Sequence, residues 1–521
     1  MANAVAKGLS PRWVRGVLLL GLATGVIACS QEPTAPAESE SEQAASGEGL
    51  LPGQGEDLGR TVIYRDTFGI PHIYAPSVEA GLYAQGWAQA EDRPEQLLMN
   101  LKIAMGELAE ISGADGVPTS LIARMFGHMN NARAAVANMT DEERQRITAF
   151  ANGISDFYAA NPEDVPAWWH HDSVSPEMID AFGRMFLYNW SIDEALGDLK
   201  RGGVDAAFVT EQRGSNQWAV GPSRSASGHA ILLIDPHLSW WGPSRFWEMR
   251  IHAGELTGSG VGLAGSPYIG LGHNADIAWA MTTGGPDTAD VYALTLNEAG
   301  DQYRFDDEWR PLTQHTETLR FPDGSERAYS WEASHHGPIL ARADGMAYAA
   351  RIAYDGGTNR NEAWEALNFA SDYRGAMAAC ATLSMFPQNV MVADTSGNIY
   401  YQRTGRVPVR PSGYDWSKPV DGSTSASDWQ GIHPAEDHLQ ALNPESGWLQ
   451  NCNIPPDAMI PGSPFRLDAQ ADYLYSSAAH GSAFAGWTNQ RGARAVELLS
   501  ADADVTVEEA LAYAVDTQPF G

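Results

Sequence analysis

Apolar residues change their spacing several times along this chain, and each change predicts a different kind of segment. Val17 to Ile27 is a short apolar run behind Lys7, Arg12 and Arg15. Residues 30–58 hold few apolar positions among many Ser, Glu, Pro and Gly. From Gly59 the pattern becomes that of a folded protein. Thr61-Val62-Ile63-Tyr64 predicts a strand, and Gly69 to Ala75 a turn leading into another. Ala80, Tyr83, Ala84, Trp87 and Ala88 then recur at helical spacing. Further helices are expected to about Gly197, including Asp141 to Ala159. Past Ser215 the period shortens. Trp218 and Val220, then Ile231 to Ile234, predict two strands joined through the turn Ser223 to Gly228. Strand-like runs recur at Ile277–Trp279, Val291–Leu296, Thr318–Phe321, Ala347–Ile352 and Val390–Ala393. Thr506-Val507-Glu508-Glu509 has the form of a capping box opening a helix to Val515. Helices first and strands later, with helices interspersed, predict an α+β protein.

A basic start followed by a short apolar run is an export signal, too short for a comfortable membrane span. Val26-Ile27-Ala28-Cys29 resembles a bacterial lipobox. That resemblance makes residues 1–28 a lipoprotein signal peptide and Cys29 the lipidated mature N-terminus, at the periplasmic face of the outer membrane. Residues 29–58 cannot bury enough surface to offset ordering and read as a disordered tether.

Composition narrows the function classes. Hydrophobic residues make up 44% of 521, with 17 Trp, enough for a sizeable core. Lys and Arg total 33 against 65 Asp and Glu, a net charge of -32, which argues against nucleic acid as a partner. It also leaves a lipid anchor as the route to a membrane. The three cysteines, Cys29, Cys380 and Cys452, form no C-x-x-C pair, so no zinc motif or thioredoxin-like motif is supported. The oxidising compartment permits a Cys380–Cys452 bond without requiring one.

Common hydrolase signatures are missing. There is no G-x-S-x-G, no H-E-x-x-H and no P-loop, and no lysine follows a serine by three positions. What remains is Arg213-Gly214-Ser215-Asn216-Gln217-Trp218 at the start of a strand. Its surroundings give it meaning. Arg65-Asp66 with Gly69-Ile70-Pro71-His72 precedes Gln85 to Arg93 (QGWAQAEDR) and Gly106 to Glu110 (GELAE). Asp235-Pro236-His237, Gly272-His273-Asn274 with Ala278-Trp279, His336-Gly337-Pro338, Gln450-Asn451-Cys452-Asn453 and Arg491 follow it. In this order, from about Arg65 to Thr517, the chain resembles the penicillin acylase family of N-terminal-nucleophile hydrolases, which includes acyl-homoserine-lactone and cephalosporin acylases.

The resemblance implies a four-layer αββα sandwich with a mainly helical first chain wrapped around it. It divides the sequence into an α-chain at 59–201, a spacer at 202–214 and a β-chain at 215–521. Family members carry more β-chain sequence, so this one is expected to be incomplete at its C-terminus. Ser215 would attack the carbonyl of Gly214, cut the chain there and yield an α/β heterodimer from one precursor. Glycine before the serine would allow strained dihedrals and admit the attacking oxygen. The freed α-amine, with a reference pKa of about 7.7–8.0, would be the base and the hydroxyl the nucleophile. Position by position, the oxyanion donors would be the backbone N–H of Thr283 and the side chain of Asn453. His237 would relay a proton or orient the serine, and Arg491 would lie near the site. Asp287 and Asp290 match the spacing of the family's calcium ligands, with the Ala289 carbonyl and Glu194 as further candidates. No cofactor is implied for catalysis, and one calcium ion would be structural. The implied reaction is hydrolysis of the linear amide of an N-acyl small molecule: a β-lactam antibiotic, an acyl-homoserine lactone or a related compound. The alternative is a noncatalytic periplasmic binding lipoprotein on the same scaffold.

Overall fold

Alternating side chains after Ser215 build two sheets that share one interior. The computed structural model describes residues 59–205, 214–354, 358–466, 471–475 and 488–518. The expected signal peptide, Cys29, the expected tether and most of the expected spacer lie outside the described residues.

The larger sheet has nine strands, in the order Val62–Arg65, Pro71–Ala75, Phe246–Ala253, Leu256–Leu263, Leu271–His273, Ile277–Thr283, Gln388–Asp394, Ile399–Thr404 and Gln440–Leu442. The smaller has three, Trp448–Asn451, Gly214–Val220 and Ile231–His237, all antiparallel. Period two decides which core each side chain joins. Ile277, Trp279 and Met281 pack with Val390, Val392 and Tyr400 against helices. Between them in sequence, Ala280, Met391, Ala393 and Tyr401 face Trp218, Val220, Trp448 and Leu449 of the smaller sheet. The far side of the smaller sheet's core is closed by Leu499 of helix Gln490–Ala501 and Ala510 of helix Val507–Ala514. Helix, sheet, sheet and helix thus make four layers, an α+β sandwich.

The first helical layer begins at Val78–Asp92, where the Ser77 hydroxyl accepts the Ala80 N–H. Asp141–Ala160 starts with a reciprocal capping box between Thr140 and Glu143. The close crossing of these helices needs glycine. A Cβ on Gly86 would lie 2.2 Å from the Phe150 carbonyl oxygen. The longest helix among the described residues, Pro176–Arg201, places Leu187, Ile192, Ala195 and Leu199 against Val291, Leu340 and Ala350. The latter belong to a third, six-stranded sheet ordered Thr313–Arg320, Glu326–Ser334, Gly337–Ala343, Met346–Ile352, Ala289–Thr295 and Val420–Asp421.

The C-terminal capping box forms as read, with Thr506 and Glu509 paired. Val505 makes a parallel bridge to Ser225, and Arg224 donates to the Leu499 carbonyl at 2.7 Å, which docks these helices on the Ser223–Gly228 turn. Cys380 and Cys452 are both buried free thiols. Burial pushes each up to about 12. Among the described residues, no helix is long and apolar enough to cross a membrane.

Candidate active site

Ser215 sits at the start of its strand, directly across from Pro236, while Gly214 faces His237. Its side chain is buried, 3% exposed. The hydroxyl donates to the Gly214 carbonyl oxygen at 2.5 Å. The backbone N–H donates to Asn453 Oδ1 at 2.7 Å. The Ser215 hydroxyl, the Gly214 carbonyl and the Ser215 N–H are thus each held by a hydrogen bond around one peptide bond.

Asn453 is shaped for this contact. Its backbone is left-handed, φ +61°, a region asparagine tolerates better than most side chains. Its N–H donates to Asn451 Oδ1 at 2.9 Å, which holds the turn. Asn453 Nδ2 donates to the Thr283 carbonyl at 2.9 Å and lies 3.0 Å from the Thr283 hydroxyl. Arg491 donates to Asn453 Oδ1 and to the Ser215 carbonyl, each at 2.9 Å, and also to Asn216 Oδ1. Ser215, Thr283, Asn453 and Arg491 thus meet, although the sequence scatters them over 277 positions.

Behind these groups lies a buried polar chain that sequence reading did not find. Thr282 donates to Asn451 Oδ1 at 2.8 Å. Asn389 Nδ2 reaches the Thr282 hydroxyl at 3.2 Å and the Thr283 carbonyl at 3.1 Å. Tyr401 closes the chain by donating to Asn389 Oδ1 at 2.6 Å. Thr282, Asn389, Asn451 and Tyr401 are each 0% exposed, so every partner matters. A signal was present: Gln388 and Asn389 open a fully buried strand, ahead of the apolar run Val390–Ala393.

Two details differ from expectation. Gly214 does not have a positive φ, and a Cβ there would meet Asn453 Oδ1 at an ordinary 3.4 Å. Strain at this residue is therefore not what its glycine provides. His237 is half exposed and faces Asp235 at 3.3 Å, and among the described residues no hydrogen bond joins it to Ser215. Asp235 in turn accepts from Asn216 at 2.8 Å, which connects the histidine to the Arg491 side of the cluster. A cleft of about 220 Å³, lined in part by Asn216, Trp218, Cys452 and Arg491, adjoins these residues.

Asp287 and Asp290 lie in a separate buried cluster. Arg410 donates to Asp290 Oδ2 at 2.8 Å and meets Asp287 Oδ1 at 3.2 Å. The same guanidinium donates to the carbonyls of Asp287 and Ala289, each at 3.2 Å. Trp429 Nε1 also donates to Asp290 Oδ2, at 2.6 Å. Glu194 accepts from the N–H and hydroxyl of Thr288, both at 2.9 Å. One turn further along its helix, Asp198 pairs with Arg201 at 2.6 Å. Burial, then the neighbouring Asp287, holds the carboxyls of Glu194 and Asp198 well above their ordinary range.

A serine at the head of a central strand in a four-layer αββα sandwich defines the class of N-terminal-nucleophile hydrolase folds. A family model described as penicillin amidase matches residues 60–519, and the chain belongs to that family. It is 24% identical over 512 residues to penicillin G acylase of Escherichia coli, covering 77% of this chain and 60% of that one. To penicillin acylase 2 proenzyme of Pseudomonas sp. strain SE83 it is 25% identical, over 75% and 58% of the two chains. To acyl-homoserine lactone acylase PvdQ of Pseudomonas fluorescens it is 27% identical, over 77% and 61%. The chain therefore spans about 60% of the length of these relatives. The thermostable penicillin G acylase of Alcaligenes faecalis, in its orthorhombic form, superposes with a TM-score of 0.50 at 25% identity, over 57% of this chain and 51% of that one.

Proposed function

We propose that this chain is a self-processing acylase in which Ser215 is both nucleophile and base. The observation that carries the reading is the gathering of Ser215 N–H, Ser215 Oγ and the Gly214 carbonyl against Asn453 and Arg491. In maturation, Oγ forms a bond to the Gly214 carbonyl carbon, the C–N bond breaks, and the nitrogen leaves as the Ser215 amine. Water then hydrolyses the resulting ester, which leaves a carboxylate on Gly214. The proenzyme name of the Pseudomonas sp. relative supports such a step.

The freed amine inherits the Asn453 Oδ1 contact. Burial and the Arg491 guanidinium beside that oxygen both disfavour an ammonium, so the amine is held neutral and able to take the Oγ proton. Oγ then bonds to the substrate carbonyl carbon. The oxyanion is received by Asn453 Nδ2 and the Thr283 N–H. Collapse expels the amine product, which takes the proton, and water releases the acid from Ser215. His237 orients the water side of the site through Asp235. The substrate class is the N-acyl amide of a small cyclic amine, of the kind named in the relatives: penicillin G or an acyl-homoserine lactone.

We further propose that the product is an α/β heterodimer with an α-chain from 59–201, anchored through Cys29 at the periplasmic face of the outer membrane. The acidic cluster fits a structural calcium by charge. Four carboxylates (Glu194, Asp198, Asp287 and Asp290) face two guanidiniums, and Asp290 Oδ1 and Asp198 Oδ2 are buried without hydrogen-bond partners. Asp287, Asp290 and Glu194 would hold the ion, which would supply charge neutralisation and tie the long helix to the third sheet. Chelation with EGTA should lower the melting temperature of wild type, and Asp290→Asn should remove that sensitivity.

The function is tested by intact mass analysis of purified protein beside an assay of acid release from penicillin G and acyl-homoserine lactones. The expected result is a fragment beginning at Ser215 together with turnover. Ser215→Ala should show neither.

A further inference from the structure

His335, His336 and Asp428 each bring one ligand atom within 4.8 Å of the others. The histidines form the turn between strands Glu326–Ser334 and Gly337–Ala343, and Asp428 ends a short turn at Ser425–Ser427. His336 is 3% exposed, and its ring stacks on Tyr292 with centroids 3.8 Å apart. Its Nε2 lies 3.3 Å from the Gly422 carbonyl oxygen. A carbonyl can only accept, so Nε2 carries the proton. In the neutral ring the other nitrogen carries no proton. Nδ1 therefore presents a lone pair.

That lone pair faces Asp428 Oδ1 at 3.7 Å, and both atoms are buried without a hydrogen-bond partner. Two acceptors aimed at one another repel unless a cation lies between them. An imidazole nitrogen and a carboxylate oxygen sharing one tetrahedral ion at ~2.0–2.2 Å would be about 3.4 Å apart, close to what is seen. His335 completes the set. Its Nδ1 lies 2.8 Å from the Tyr303 hydroxyl, and with the proton on Nδ1 donated to that oxygen, Nε2 is free to bind. Arg351, stacked on Trp429, stands 3.8 Å from Asp428 Oδ1 and offsets the carboxylate charge. The site thus suits an ion held by imidazole coordination over a hard cation held by charge alone.

We propose that His335, His336 and Asp428 form a transition-metal site, with zinc the fitting ion and a fourth position open to water. It would fasten the 421–428 segment to the hairpin of the third sheet. No residue of the Ser215 cluster takes part, so the inference stands apart from the acylase reading.

The test uses the full chain, stripped with chelator, dialysed, and titrated with zinc chloride or cobalt chloride alone by calorimetry and visible absorption. Wild type should bind one ion per chain, with a tetrahedral cobalt spectrum and a raised melting temperature. His336→Gln and Asp428→Asn should lose the spectrum. Tyr303→Phe, a milder change that removes only the supporting hydroxyl, should weaken binding 10–100-fold. His315→Ala, at a histidine stacked on Trp331 elsewhere in the same sheet, should change nothing. A folded wild type without stoichiometric cobalt absorption would overturn the proposal. So would equal affinity in Tyr303→Phe, Asp428→Asn and His315→Ala, since that is the behaviour of surface histidines.

Discussion

Two buried polar clusters lie at the two ends of one short segment: Thr283 belongs to the Ser215 site and Asp287, four residues on, to the acidic cluster. They are made of different chemistry. The first consists of neutral amides and hydroxyls, with charge at its rim on Arg491 and Asp235, and each of its partners is oriented by hydrogen bonds. The second is ionic, with four carboxylates around Arg410 and Arg201. Neutral, directional groups fix positions to fractions of an ångström at small desolvation cost. Buried ions cost more to desolvate and add strength only while every charge has its counterion. One cluster is thus suited to placing atoms, the other to clamping layers. Gly285 lets the segment between them run close to its neighbour, because a Cβ there would lie 2.3 Å from the Pro387 carbonyl carbon.

This contrast predicts different failures. Arg410→Ala should be the most damaging to folding, costing about 3–5 kcal/mol in urea unfolding, because it strands buried carboxylates. A near-neutral result would show that the carboxylates are balanced without it. Asn453→Ala should do the reverse. Turnover should fall 10²–10³-fold, about 3 kcal/mol in the barrier, with little change in melting temperature. A loss of folding on the same scale would erase the distinction between the clusters.

A second ionic group sharpens the comparison through pH. Burial pushes Glu107 up, but hydrogen bonds from His171 and Lys102 outweigh it and hold the carboxyl at about 2. A depressed folded-state value means stability that is present above about 4.5 and lost as pH falls towards 2. Glu107→Gln should remove on the order of 2 kcal/mol at neutral pH and flatten unfolding curves in that acid window. A mutant with the wild-type acid slope would contradict this. The smallest effect is expected for Thr282→Val, which deletes one buried hydroxyl of the neutral chain. It should cost about 1–2 kcal/mol and slow turnover modestly, with no new pH dependence.

How much of this was legible follows from local chemistry. The Val78–Asp92 and Asp141–Ala160 helices carried both period and caps, and the Ile277–Thr283 and Gln388–Asp394 strands carried apolar runs. Leu256–Leu263 did not. Its glycines at 258, 260 and 262 look like a loop, yet they let Leu271 and His273 approach: a Cβ on Gly260 would meet the Leu271 carbonyl at 2.2 Å. Phe246–Ala253 does alternate, with Trp247, Met249, Ile251 and Ala253 buried, and was readable but passed over. In the site, Ser215, Thr283, Asn453 and Arg491 came from collinear motifs, and the structure brings them together. Asn389 was signalled only as a polar residue at the head of an apolar run, and Tyr401 not at all, because their role comes from strand pairing 170 or more residues from Ser215, which no local pattern encodes. Arg410 was missed for the same reason: its partners Asp287 and Asp290 lie 120 or more positions away.

The account depends most on the fate of the peptide between Gly214 and Ser215. N-terminal sequencing of purified, catalytically active protein tests it directly. The account predicts two chains, one of them starting Ser-Asn-Gln-Trp, and a single uncut chain for Ser215→Ala. Full activity from a chain in which that peptide is intact would contradict it.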